Sequence, residues 1–258
     1  MSFEQRSIPT EDRISSFPDH IIGHILSFLP TKLSVATSIL SKRWNRLWLS
    51  VLNFHFDDQT FQDFISFRHF VSSVFLLRDI TLPLQSFHLK CSKESSFQLH
   101  DINIFVYAAA QRQIQNLNLE MSSTIMIMKL PHSIFSCRTL IVLHLKGLKV
   151  NDLSHVAVDF PLLKTLYLSN ILFESIEYFI QLLSGCHILE ELHAEYIGAR
   201  NMQWLISQEM FVVRRKFQSL PKLIKADITK SPFLFTFLLT LFCKKEAQVL
   251  RAEVVRIL

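Results

Sequence analysis

One spacing keeps returning along this chain: a large apolar residue, two variable ones, a second apolar residue, one variable, then a third. It occurs about six times, at Leu84/Phe87/Leu89, Ile114/Leu117/Leu119, Leu140/Leu143/Leu145, Leu163/Leu166/Leu168, Leu189/Leu192/Ala194 and Leu223/Ala226/Ile228. The last two members of each copy alternate as in a β-strand, and the copies begin roughly 23 to 34 residues apart. A unit of that length leaves an apolar face uncovered until a neighbour stacks on it, which dictates a curved solenoid with parallel strands. The fold class is therefore α/β, a curved parallel sheet with helices or irregular segments outside. Helical periodicity between the strands is clearest at 104–113 and at 175–184, where Gly185 follows as a C-cap.

Strand alternation then assigns the other face. With Leu166 and Leu168 inward, Thr165, Tyr167 and Ser169 line the open concave side. The neighbouring copies contribute Asn116, Asn118 and Glu120; Val142, His144 and Lys146; Glu191, His193 and Glu195; and Lys225, Asp227 and Thr229. Both charge signs mixed with Tyr and His suit a polypeptide better than a phosphate backbone. The target-binding candidates are Val142, His144, Lys146, Thr165, Tyr167, Ser169, Glu191, His193 and Glu195, with Tyr167 as an exposed aromatic anchor.

Ahead of the repeats, residues 51–58 alternate like a strand with Leu52, Phe54 and Phe56 on one side. Phe61, Phe64, Ile65, Val71, Val74 and Phe75 then follow helical spacing up to Arg78. Further upstream, Ile21, Ile22, Ile25, Leu26 and Leu29 form a wide apolar stripe on a helix begun at Pro18 and ended by Pro30. A second short helix carries Val35 and Ala36, and a third, capped by Ser41, carries Trp44, Leu47 and Trp48. Fewer than about forty residues rarely bury a self-sufficient core, so so much apolar surface calls for a partner.

Composition excludes several functions. With 49% hydrophobic residues, 19% charged and 23 Phe, the chain can bury a sizeable core. Its 4 Gly form neither a dinucleotide fingerprint nor a P-loop. The 4 Cys contain no C-x-x-C pair; Cys137 and Cys186 each precede a repeat by three residues and read as buried structural thiols. The 11 His occur in no H-E-x-x-H motif, no G-x-S-x-G elbow is present, and no catalytic, cofactor or metal residues are assigned. A net charge of +5 and the run Arg214-Arg215-Lys216 leave nucleic acid as a weaker reading, because the basic residues are scattered rather than interleaved with stacking aromatics. The apolar stretch 232–243 is shorter than the roughly 20 residues of a membrane span and reads as a cap. Residues 1–12 lack an apolar signal core, which places the chain in the nucleus or cytoplasm.

Phe17-Pro18-Asp19, Ile25-Leu26-Ser27, Leu29-Pro30 and Leu40-Ser41-Lys42-Arg43-Trp44 resemble an F-box, with Phe17 where leucine is usual. Leu130-Pro131-His132-Ser133-Ile134-Phe135-Ser136-Cys137 and Ser184-Gly185-Cys186, with Leu189-Glu190-Glu191-Leu192, resemble the plant family of F-box proteins with leucine-rich repeats and its FBD-type relatives. His187 replaces a common proline, and the sequence stops at Leu258, short of the further C-terminal domain that many members carry.

The resemblance implies a non-catalytic substrate receptor of a Skp-cullin-F-box ubiquitin ligase. The F-box would bind a Skp-type adaptor, and through it a cullin, using Phe17, Pro18, Ile21, Leu26, Leu29, Pro30, Val35, Leu40 and Trp44. An F-box protein that binds without degradation, or a shortened competitor, is the alternative. The implied organisation is a tail at 1–11, the F-box at 12–50, a linker strand and helix at 51–83, repeats at 84–230 and a cap or truncated region at 231–258.

Overall fold

The computed structural model describes residues 14, 16–92, 99–122, 128–200, 222–231 and 250–251. The basic run at 214–216, the stretch 232–243, Cys243 and the N-terminal tail lie outside the described residues.

Three short helices open the fold: α1 (Asp19–Leu26), α2 (Thr31–Ala36) and α3 (Trp44–Leu47). Pro18 and Pro30 sit at the N-caps of α1 and α2, where a missing N–H is no loss. Helix α1 ends at Leu26, four residues before Pro30, so that proline starts the second helix rather than stopping the first. Arg43, not the expected Ser41, holds the N-cap of α3 and makes no side-chain cap; Ser41 lies two residues earlier, its Oγ accepting the Trp44 N–H at 3.4 Å. Ile22, Leu26, Trp44, Leu47 and Trp48 fill the space between the helices.

The sheet begins earlier than the repeat spacing implied. Strand β1 (Asn53–Asp57) pairs in parallel with β2 (Ser86–Cys91), so the presumed linker strand is the first strand of the solenoid. Leu52 precedes it and is 43% exposed, while Phe54 and Phe56 point inward. Helix α4 (Phe64–Leu77) returns over this edge, capped by Asp63, whose Oδ1 accepts the Ser66 N–H at 2.7 Å. Its buried residues include Phe64, Phe67, Val71, Val74 and Phe75; Ile65 instead faces out, and Phe61 lies before the helix. Rings of Phe54, Phe56, Phe75 and Phe87 meet edge-on or tilted, filling the first part of the core.

From β2 the sheet proceeds in parallel through β3 (Asn116–Met121), β5 (Val142–Lys146), β7 (Thr165–Phe173), β8 (Glu191–Ala199), β9 (Lys225–Thr229) and β10 (Leu250–Arg251). A side ladder joins β4 (Met128–Lys129) to β6 (Leu148–Val150) and thence to β7. The register aligns Phe54, Phe87, Leu117, Leu143, Leu166, Leu192 and Ala226 in one row. Phe56, Leu89, Leu119, Leu145, Leu168, Ala194 and Ile228 form the next, and both rows are buried throughout.

Behind the sheet lie α4, α5 (Leu99–Ala110), a 3-10 segment at His132–Ser136, irregular chain at 151–164 and α6 (Ile176–Ser184). Regular alternation of strand and helix therefore fails between β3 and β7, and α5 starts five residues before the expected 104. Ser175 caps α6 through the Glu177 N–H at 3.2 Å. Gly185 follows with φ of −79°, not left-handed; a Cβ there would lie 2.4 Å from the Val158 carbonyl oxygen, so its glycine permits close packing.

Two devices join the helical module to the sheet. Thr31 Oγ1 accepts the backbone N–H of His55 on the edge strand at 2.8 Å, and the Lys32 ammonium lies over the Phe61 ring. At the end of α4, buried Arg78 donates to the carbonyls of Val51 and Pro83 and packs on Phe54. Burial, reinforced by nearby Arg112, lowers the Arg78 pKa to about 10.

Candidate functional site

The concave face is a grid of three rows. Its central row reads His55, His88, Asn118, His144, Tyr167, His193, Asp227 from β1 to β9. Strand spacing brings side chains of one row into contact, and the rings stack. His55 and His88 lie 4.3 Å apart with planes 6° from parallel, Tyr167 and His193 4.5 Å apart at 11°, and His144 meets Tyr167 edge-on at 5.6 Å. Stacked rings spend their faces on one another and turn edges outward. Tyr167 is accordingly half-buried rather than an exposed aromatic anchor, with its faces occupied by His144 and His193.

Above that row, Asp57, Lys90, Glu120, Lys146, Ser169, Glu195 and Thr229 follow in register. Lys90 Nζ binds Asp57 at 3.0 Å, which raises the lysine pKa. Glu120 Oε1 lies 3.2 Å from His88 Nε2 and accepts from Asn118 Nδ2 at 3.1 Å. Burial works to raise the Glu120 carboxyl, but that hydrogen bond and the charges of His88, Lys146 and His144 carry it below its ordinary value. His88 is lowered by burial and then by His55, against the opposing pull of Glu120; His144 is lowered chiefly by burial. Neutral imidazoles both donate and accept, which gives the row hydrogen-bonding tips of either kind.

A groove of about 310 Å³ opens over β3 to β9, lined among others by Glu120, His144, Lys146, Tyr167, Ser169, His193 and Glu195. Of the sequence-derived candidates, Val142, Thr165 and Glu191 form the row below it, half-buried, and Lys146 is exposed. The face also extends to His55 and His88 on β1 and β2, which sequence reasoning left out although Phe54/Phe56 and Phe87/Leu89 carried the same alternation. A second feature was missed. Gly147, Asn170, Tyr196 and Lys230 each follow the upper row and each has φ between 52° and 69°. This left-handed residue inserts an extra outward position, after which Leu148, Ile171 and Ile197 resume the buried face. At the rim, Lys230 Nζ reaches Glu195 at 2.8 Å and lies over Tyr196.

Among the described residues no group of three or more His, Cys, Asp or Glu is placed to hold a metal ion. Cys91, Cys137 and Cys186 are free and buried, and burial raises all three thiols, Cys186 to about 12. Such thiols are packing residues, not nucleophiles. No helix among the described residues is long and apolar enough to cross a membrane.

The helical module presents a second surface. Phe17, Ile21, Ile25, Phe28, Leu33, Ile39 and Leu40 are all exposed, Ile39 to 86% and Leu40 to 65%. Of the proposed adaptor contacts, Phe17, Pro18, Ile21 and Leu40 lie on the outside, and Leu29, Pro30 and Val35 are half-buried. Leu26 and Trp44 are corrected: both are buried between the helices and hold the module together instead of facing a partner. The sequence missed Ile25, Phe28, Leu33 and Ile39. Arg43 steadies the entry, binding Asp19 at 2.6 Å and the Phe17 carbonyl.

Comparison with known proteins places names on both regions. Residues 14–56 match the family model of the F-box domain, and residues 104–256 match the model described as "FBD-associated F-box protein At5g56370, LRR repeats". Three relatives come from Arabidopsis thaliana. The putative F-box/FBD/LRR-repeat protein At5g22670 is 31% identical over 222 residues, covering 86% of this chain and 47% of the relative. F-box/LRR-repeat protein At3g59200 is 36% identical, covering 76% and 39%, and F-box/FBD/LRR-repeat protein At4g00160 is 37% identical, covering 74% and 42%. The chain thus spans less than half the length of these relatives.

Proposed function

Since the chain belongs to the family of FBD-associated F-box proteins with leucine-rich repeats, we propose that it is the substrate-recognition subunit of a Skp-cullin-F-box ubiquitin ligase. Family membership supports an F-box substrate-adaptor role, and proteins of this class are generally non-catalytic. The observation that carries the proposal is the exposed apolar face of the F-box, from Phe17 and Ile21 through Ile25 and Leu33 to Leu40. Isolated exposed apolar residues are ordinary, but this many on so small a module is the mark of an interface. An F-box domain implies a Skp-type adaptor as the partner for that face. The polar groove then holds the target, and Thr31 and Arg78 keep the two surfaces in fixed relation. The mechanism is proximity: a target held beside a charged conjugating enzyme reacts as if intramolecularly.

Co-purification with a Skp-type adaptor tests the reading. The double substitution Ile25→Asp/Leu40→Asp places charges on exposed positions, so folding is retained while adaptor binding is lost. Undiminished co-purification of that variant would refute the assignment.

A further inference from the structure

The stacked row of rings ends abruptly at β9. His144, Tyr167 and His193 hold the central position on β5, β7 and β8, and the same position on β9 belongs to Asp227, a short carboxylate. Tyr167 covers one face of His193, so the opposite face looks along the ladder toward β9. Asp227 Oδ2 lies 3.7 Å from His193 Nδ1. A short side chain beside a ring leaves a step, and the groove of about 310 Å³ runs over it, with His193, Asp227, Glu195 and Thr229 in its walls.

Charge decides what fits the step. The groove lining holds Glu120, Glu195 and Asp227 against Lys146, in a chain whose net charge is +5. Lys230 answers Glu195 at 2.8 Å, so the charge next to the open face of His193 is the Asp227 carboxylate, which favours a cation there. A planar, delocalised cation stacks on a ring face and pairs its parallel N–H groups with a carboxylate, whereas an ammonium is a strongly hydrated point charge that does neither as well. Shape and charge together select a guanidinium.

Resting on the reading that the concave face holds the target, we propose that the groove receives an arginine side chain of that polypeptide. Its guanidinium forms the next plane on His193 and pairs with Asp227, while Glu195 stays with Lys230 at the rim. The edges of His144 and Tyr167 are left to hydrogen-bond the flanking peptide. In register on the far side of Asp227 is Arg251 of β10, a cation from the chain itself, and the test includes it.

The probe is an acetylated, amidated nonapeptide of glycine and serine with one central arginine, titrated by calorimetry against the full chain beside its citrulline and lysine twins. Citrulline keeps the shape and loses the charge. The arginine peptide binds at least about tenfold more tightly than either twin. Asp227→Asn and His193→Ala, both at partly exposed positions and checked by circular dichroism, reduce it to the citrulline level. Arg251→Ala leaves the affinity unchanged or raises it; a fall there would make Arg251 part of the site and overturn the proposal. Equal binding of arginine and citrulline peptides, or an unchanged affinity in Asp227→Asn, overturns it as well. A randomised nonapeptide array separates this from the broader reading. Capture of peptides without arginine rejects the arginine assignment and keeps the concave face as a target site, while no capture at all rejects both.

Discussion

Replacing Thr31 by valine tests whether the F-box serves as the cap of the solenoid. Thr31 is 3% exposed, and its Oγ1 accepts the His55 N–H at 2.8 Å. Strand β1 is the first in the sheet, with β2 on one side only, so this amide takes its partner from α2. Thr31→Val keeps the volume and deletes the acceptor. A buried donor left unpaired costs about 1–3 kcal/mol. Burying a methyl in place of the hydroxyl returns about 0.8 kcal/mol, and the net loss is therefore about 0.2–2.2 kcal/mol. With a urea dependence of about 3 kcal/mol/M for a chain of this size, the unfolding midpoint falls by about 0.1–0.7 M. Amide hydrogen exchange supplies the local reading: His55 loses protection in Thr31→Val and keeps it in Thr31→Ser, which retains the hydroxyl. A Thr31→Val protein with the parent's midpoint and an equally protected His55 amide would show that the edge strand does not depend on this contact.

Other consequences are open to the same measurements. Leu166 is fully buried between Leu143 and Leu192 in the ladder, and Leu166→Ala lowers stability by about 2–5 kcal/mol in urea titrations, against little change for Ser169→Ala. Gly147→Ala is strained twice over, by a φ of 69° and by a Cβ 1.8 Å from the Met121 carbonyl oxygen, and loses about 2–4 kcal/mol; Asn170→Gly, at an equivalent left-handed residue, stays within about 1 kcal/mol. Burial lowers the pKa of His88 and His144, so the unfolded chain takes up protons at these positions before the native one does. Both are neutral in either state at about pH 7.5 and above and contribute no slope there; stability is lost as the pH falls through about 6.5 toward the lowered native pKa values. The variant His88→Gln/His144→Gln therefore loses less stability between pH 7.5 and 5.5 than the parent, as followed by urea midpoints.

Much of this architecture was written in local spacing. Leu117, Leu143, Leu166 and Leu192 could be aligned before any coordinates because a strand has a period of two, and a one-residue slip would turn every leucine to water. Burial and periodicity carried the same information, so the rows of the concave face followed from the rows of the core. The three short helices were legible for a different reason, two prolines and paired tryptophans at helical spacing, and the F-box itself was read from the resemblance carried by Phe17-Pro18-Asp19, Leu29-Pro30 and Leu40-Ser41-Lys42-Arg43-Trp44.

What required the tertiary structure was everything settled between segments distant in sequence. The stripe on α1 is wide enough to bury either Ile22 and Leu26 or Ile21 and Ile25, and docking against α3 chose the first pair, which moved Leu26 and Trp44 from the interface to the interior. Residues 51–58 read as a linker because parallel pairing with β2 reaches across 33 residues of chain, from Asp57 to Lys90, and leaves no local mark. Tyr167 looked free because alternation gives the direction of a side chain but not its neighbours; the faces of its ring are taken by histidines 23 residues before it and 26 after, at 144 and 193. The left-handed row went unread: Gly147 and Asn170 tolerate that backbone but do not announce it, and at Tyr196 and Lys230 the stacked sheet imposes one that the residue alone would not choose.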